Sequence, residues 1–254
     1  MKLRRLCPLL AIVPLLALAE TYQYDASNVK TNVWQPTKNG FPLVPFHGSD
    51  NGWTSVVSRV SIPNSLRYAV SFNATANAII SPLTFLGATT QTCSYVFAIV
   101  RSPSLDCALP TLMDAPRHDV RLRKDRRTKL WNFETSTAYH ININGMESES
   151  FTPSQNFQLV EVTFTSPSPV KIGELYIGGA LPRPEWRRAW RGEIGELIFL
   201  TDSPTPDQRK ALHDYARRKW RVPMPSSDGI NAPQALADMG IATDSVYATF
   251  IFIR

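Results

Sequence analysis

A chain of 254 residues accommodates one large β domain or two small domains. It carries 27 basic and 21 acidic residues, net +6, but Lys2, Arg4 and Arg5 all fall in the first nineteen positions. The remainder is only mildly basic, at 24 against 21 and net +3, which excludes a global nucleic-acid-binding signature.

Those first positions read as a secretory signal peptide. A basic head precedes an apolar run from Leu6 to Leu18, and Ala17-Leu18-Ala19 forms an A-x-A cleavage site before Glu20. The run is too short to span a bilayer, and no later segment is long and apolar enough to do so. An uncleaved anchor is the alternative. The expected division is a signal peptide over 1–19, one domain over 20–223, and a linker with a final strand over 224–254. The expected location is secreted, periplasmic or at the cell surface.

Next in chain order comes "HGSDNGW" (47–53), a Gly/Asx loop. Asp50, Asn51 and Trp53 there could meet a glycan or, through carboxylate and carbonyl oxygens, calcium. A single carboxylate is few for calcium, and an Asx turn with Trp53 packed inward is the competing reading. Short segments rich in β-branched and aromatic residues then follow at 69–72, 95–100, 119–123, 129–133, 138–142, 157–165, 171–179 and 193–200. Pro, Gly, Ser and Asn separate them, with no helix between, as in a two-sheet sandwich. In 157–165, Val160, Val162 and Phe164 alternate with Glu161 and Thr163, which predicts one core face and one wet face.

Cys93 and Cys107 remain once Cys7 leaves with the signal peptide. In an exported chain they suggest one disulfide across a hairpin turn near Ser102-Pro103-Ser104, with two free buried thiols as the alternative. No cysteine/histidine cluster of metal-binding type exists. Between 117 and 129, "RHDVRLRKDRRTK" holds seven basic residues against two aspartates. Arg121 and Arg123 share a strand face, and Lys124, Arg126 and Arg127 occupy the following turn. Guanidinium groups pair with carboxylates and phosphates, so this stretch is an expected contact for an acidic surface polymer. A solvated hairpin tip is the bland alternative. "RPEWRRAWR" (183–191) adds Trp186 as a rim aromatic among four arginines.

A helix closes the pattern. Thr205 is an N-cap, Pro206 suits the first helical position, and Gln208 completes a capping box. Leu212, Tyr215, Ala216 and Trp220 fall on one face, and Pro223 ends the element. Beyond it, "PQALADMG" reads as a short turn of helix. Val246 to Ile253 is an uncharged strand that must pair within its own sandwich or with a partner protein.

Glu193 and Glu196 pose the catalytic question. On a regular strand an odd separation points them to opposite faces, whereas a glycoside hydrolase needs two carboxylates about 5–10 Å apart on one face. The spacing therefore argues against a catalytic pair unless a bulge intervenes. Glu147 and Glu149 have the right parity but sit in a turn.

Ordered pieces of the chain resemble the concanavalin A-like, laminin-G-like jelly-roll superfamily, most closely its secreted bacterial type with a C-terminal helix. These are "YDASNVKTNVWQPTKNG" with Asp25, Ala26, Ser27 and Trp34, then "AVSFNATANAI", then Ile177-Gly178-Gly179. After them come Gly192, Glu193, Ile194 and Glu196, and finally "SPTPDQRKALHDYARRKW" with Tyr215, Lys219 and Trp220 in register. The resemblance covers about 22–222. It implies an all-β, two-sheet antiparallel jelly-roll sandwich with one C-terminal helix, in which Glu196 belongs to the frame. "EIGEL" lacks the aspartate of the superfamily's E-x-D-x-x-E glycosidase motif. The expectation is thus a non-catalytic module, without cofactor, that binds a surface glycan or other anionic ligand, an adhesin among the options. The alternatives are a structural subunit of a surface assembly, docking through 246–253 or the basic hairpin, and a glycoside hydrolase.

Overall fold

The structure is a computed structural model. It describes residues 20–46, 58–63, 65–72, 82–87, 91–102, 111–114, 121–124, 131–134, 139–148, 152, 154–165, 170–179 and 190–243, with backbone alone at 58, 121–124, 131–134 and 139. The strands are β1 (Thr21–Asp25), β2 (Val29–Lys30), β3 (Val33–Trp34), β4 (Leu43–Pro45), β5 (Ser58–Ser61), β6 (Tyr68–Ser71), β7 (Leu83–Phe85), β8 (Thr92–Cys93) and β9 (Tyr95–Arg101). They continue with β10 (Thr111–Asp114), β11 (Arg121–Lys124), β12 (Trp131–Glu134), β13 (Tyr139–Ile143), β14 (Met146–Glu147), β15 (Gln158–Phe164), β16 (Val170–Lys171), β17 (Tyr176–Ile177) and β18 (Glu193–Leu200). Helices α1 (Pro206–Trp220) and α2 (Ala232–Asp238) follow.

One sheet runs β14-β13-β15-β9-β18-β6-β5, with β1 also on β18; the other runs β12-β11-β10-β17-β7-β4-β3-β2. All pairings are antiparallel among the described residues. The result is the expected two-sheet sandwich. Helix α1 adds a third layer. Val96, Ala98 and Val100 of β9 join Leu197 and Phe199 of β18 against the second sheet. The intervening Tyr95, Phe97 and Ile99 join Ile198 and Leu200 against Leu212, Tyr215 and Trp220 of the helix. The first sheet is thus apolar on both faces, which is why "YVFAIV" and "IFL" read as unbroken hydrophobic runs.

Three expectations are corrected. The wet face predicted for 157–165 is dry where the helix lies: Glu161 is fully buried beneath α1, bonded by Tyr95 Oη at 2.5 Å and by His213 Nε2 at 2.9 Å. The segment 171–179 is two short strands split by a 3₁₀ turn at Ile172–Glu174, not one strand. Cys93 is a free thiol, buried in the core with its Sγ–H donated to the Tyr95 carbonyl at 3.3 Å, so the expected disulfide is absent; Cys107 lies outside the described residues. Burial pushes the Cys93 thiol up to about 12.

Helix α1 forms as its sequence dictates. Thr205 accepts from the Gln208 N–H at 3.3 Å and the Gln208 side chain accepts from the Thr205 N–H at 2.9 Å, closing the capping box. The "PQALADMG" segment is the seven-residue α2, capped by Asn231.

Candidate functional site

Glu193 and Glu196 turn out to share a side of the sheet. The register of β18 on β9 slips between Ile194 and Glu196, so Ile194 faces Val100 and Glu196 faces Ile99. This bulge at Gly195 adds one residue and reverses the parity that a regular strand would have. Its cause is packing: a Cβ on Gly195 would lie 2.3 Å from Trp220 Cη2, so the indole of α1 rests on bare backbone.

The two acids nevertheless have different surroundings. Glu196 is wholly buried and both its oxygens are occupied. Oε1 accepts from Gln23 Nε2 and Tyr215 Oη, each at 2.7 Å, and Oε2 accepts from Trp220 Nε1 at 2.8 Å and faces Lys219 Nζ at 3.1 Å. Lys219 also bonds Asp25. Burial, together with the nearby Asp25 charge, raises the Glu196 pKa despite Lys219. Burial also disfavours the charged form of Asp25, but the Lys219 ammonium and hydrogen bonds from Lys219 and Ser27 outweigh it and hold its pKa below the ordinary value. Burial acts against charged Lys219 too, and the two carboxylates overcome it and raise its pKa. This cluster ties β1, β18 and α1 together, the frame role that the resemblance implied for Glu196. Glu193 instead pairs with Arg101 and is 14% exposed.

Arg101 opens onto a cleft of about 310 Å³ at one end of the helix layer. Its walls come from the turn before β6 (Ile62, Pro63, Ser65 and Arg67), the β13–β14 turn (Asn144), the approach to β15 (Ser154 to Gln158) and the end of α1 (Trp220, Arg221). Phe157 and Trp220 meet at 5.2 Å between ring centres with their planes tilted by 53°, and Arg101 sits over the Phe157 ring at 5.0 Å. Asn144, with φ of 52°, occupies the Asn-Gly turn of the hairpin and accepts from the Leu159 N–H at 2.9 Å. Two buried polar atoms at the base, Arg101 Nε and Gln158 Oε1, have no hydrogen-bond partner. Buried groups left in this way are uncommon, and a bound water, ion or ligand group is one way to satisfy them. Two aromatic rings stand beside amides and guanidinium groups around a space at the lower end of the range for small-ligand pockets, about 300–1,000 Å³, with a lining more polar than most such pockets have.

Of the residues singled out by sequence as ligand contacts, those within the described residues lie elsewhere. Arg121, Arg123 and Lys124 lie on β11, whose hairpin with β12 forms the edge of the second sheet, with Arg121 opposite Glu134 and Arg123 opposite Asn132. Arg126, Arg127, Asp50, Asn51, Trp53 and Trp186 fall outside the described residues, as do the signal segment and 246–253. No group of three potential metal ligands occurs among the described residues, and no described helix is long and apolar enough to cross a membrane. Sequence reasoning missed the cleft because its walls come from four distant segments. The one local signal was Arg221, just past the helix end, where glycine is the favoured residue.

Comparison with protein-family models and with curated proteins finds no match. Among solved structures, a Trypanosoma rangeli sialidase in complex with sialic acid matches at a TM-score of 0.48 and 12% identity, over 72% of this chain and 31% of that one. The chain thus spans about a third of that protein's length. That neighbour is an enzyme, and the expectation of a non-catalytic chain is withdrawn on this finding. A likeness at this level supplies no argument for a particular activity, site residue or substrate.

Proposed function

We propose that the chain is an exported jelly-roll domain that binds a surface glycan in the cleft between the β5–β6 turn and the end of α1. The observation that carries this reading is the pairing of Phe157 and Trp220 with Arg101, Asn144 and Gln158 around one concave space. Aromatic faces cover the apolar patches of a sugar ring, and amides and guanidinium groups meet its hydroxyls. The basic hairpin at 121–127 draws the domain toward acidic polymers at a cell surface. That is the setting of an adhesin or of a glycan-processing protein.

A glycan array on the purified chain tests the proposal, with released reducing ends measured in parallel. Phe157→Ala should weaken binding of the preferred glycan by at least about tenfold while the chain still melts cooperatively, since base- or sugar-face stacking on an aromatic is worth about 1–3 kcal/mol. Undiminished binding by this variant would place the glycan elsewhere. Release of reducing ends that disappears in Glu193→Gln would assign that carboxylate to turnover.

A further inference from the structure

Three guanidinium groups line the cleft, and only one is neutralised. Arg101 has Glu193. Arg67 and Arg221 form no ion pair among the described residues: Arg67 donates to the Arg218 carbonyl at 3.3 Å and lies over the Trp220 ring at 5.9 Å, while Arg221 is exposed. Among the described residues, the cleft wall carries no aspartate or glutamate. The two cations act on each other: burial and then the Arg221 charge lower the Arg67 pKa, and the Asp25 charge only partly offsets them. Two guanidinium groups without an ion pair on one cleft wall offer paired N–H donors to an anion.

Arg221 also stands in the left-handed region, with φ 55° and ψ 28°, at the C-cap of α1. A residue with a Cβ is disfavoured there and glycine is the usual occupant. A strained position that carries an unpaired cation into a cleft marks a site where function outweighs stability.

Building on the glycan reading, we infer that Arg67 and Arg221 form a clamp for an oxyanion on the bound sugar, so that the cleft selects acidic glycans over neutral ones. The shared chemistry is a carboxylate or sulfate on the ring, received by N–H donors of two guanidinium groups.

The test measures binding of an unsulfated uronate oligosaccharide, a sulfated dextran oligosaccharide and a neutral dextran oligosaccharide at low and high salt. The wild type should prefer one or both acidic probes, and salt should erode that preference. Arg67→Gln should weaken acidic binding about tenfold and leave neutral binding unchanged. Arg221→Gly is the decisive variant: it should raise the melting temperature by about 2–4 °C while losing acidic affinity, which a merely structural arginine would not do. Acidic binding unchanged in both variants, or lost only in Arg121→Ala/Arg123→Ala, overturns the clamp. A wild type that binds neutral and acidic probes equally, with Phe157→Ala losing both, overturns the clamp but keeps the glycan site. Binding of all probes untouched by Phe157→Ala, or no binding at all, overturns both.

Discussion

Lys219 is one ammonium between two buried carboxylates, Asp25 and Glu196, and is itself 9% exposed. Removing one partner of a buried ion cluster costs about 3–5 kcal/mol, because the remaining charges lose their compensation. Lys219→Met should therefore lower unfolding stability by that amount at neutral pH, read by urea denaturation. The pH profile gives a second signature. The raised pKa of Lys219 contributes stability that is complete below about pH 10 and is lost as pH rises through its folded value. The depressed pKa of Asp25 contributes stability that is complete above about pH 4 and is lost as pH falls through its folded value. The raised pKa of Glu196 works the other way, favouring the fold as its proton goes on. Without Lys219 both carboxylates are left to burial and each other. The variant should then gain stability on acidification more steeply than the wild type, and its alkaline transition should shrink; parallel profiles would disprove the cluster's role. Cys93 gives a simpler expectation. With its thiol buried and pushed up to about 12, it should resist alkylation at pH about 8 until the chain unfolds.

The bulge at Gly195 governs how β18 meets α1. Gly195→Ala puts a methyl group into the Trp220 ring, and over-packing of this kind costs about 1–3 kcal/mol. Since Trp220 lines the cleft, the same variant should weaken glycan binding, whereas Thr205→Ala, at the far end of α1, should cost about 1 kcal/mol of stability and leave binding intact. These two elements also mark the reach of sequence reading. The start of α1 was legible because its capping box is local, with both partners three residues apart. The strands at 95–100 and 193–200 were legible because a sheet covered on both faces leaves long apolar runs. The parity of Glu193 and Glu196 was not, because the bulge answers to an indole from another element. Glu161 looked like a solvent-facing residue because its partners, Tyr95 and His213, are distant in sequence. Cleft residues such as Arg67 and Arg101 gave no signal, since their meaning comes only from being brought together.

Across the whole molecule, the first described strand and the last described residues hold each other. The Gln23 side chain donates to the Ala242 carbonyl at 3.0 Å and accepts from the Ala242 N–H at 2.8 Å, and Thr21 Oγ1 donates to the Met239 carbonyl. Gln23→Ala should release this attachment, and amide exchange over α2 and residues 241–243 should accelerate while the centre of β9 stays protected. Unchanged exchange there would show that packing of Leu236 and Ile241 alone holds the segment.

That attachment also sets an order of assembly. β1 precedes its neighbour β18 by most of the described chain, and the ammonium and backbone groups that lock β1 in place come later still. The sheet that holds β1 is therefore incomplete until β18 has been made, although every strand of the other sheet precedes β18, and the long loops that β1 must close make this part of the fold slow to form.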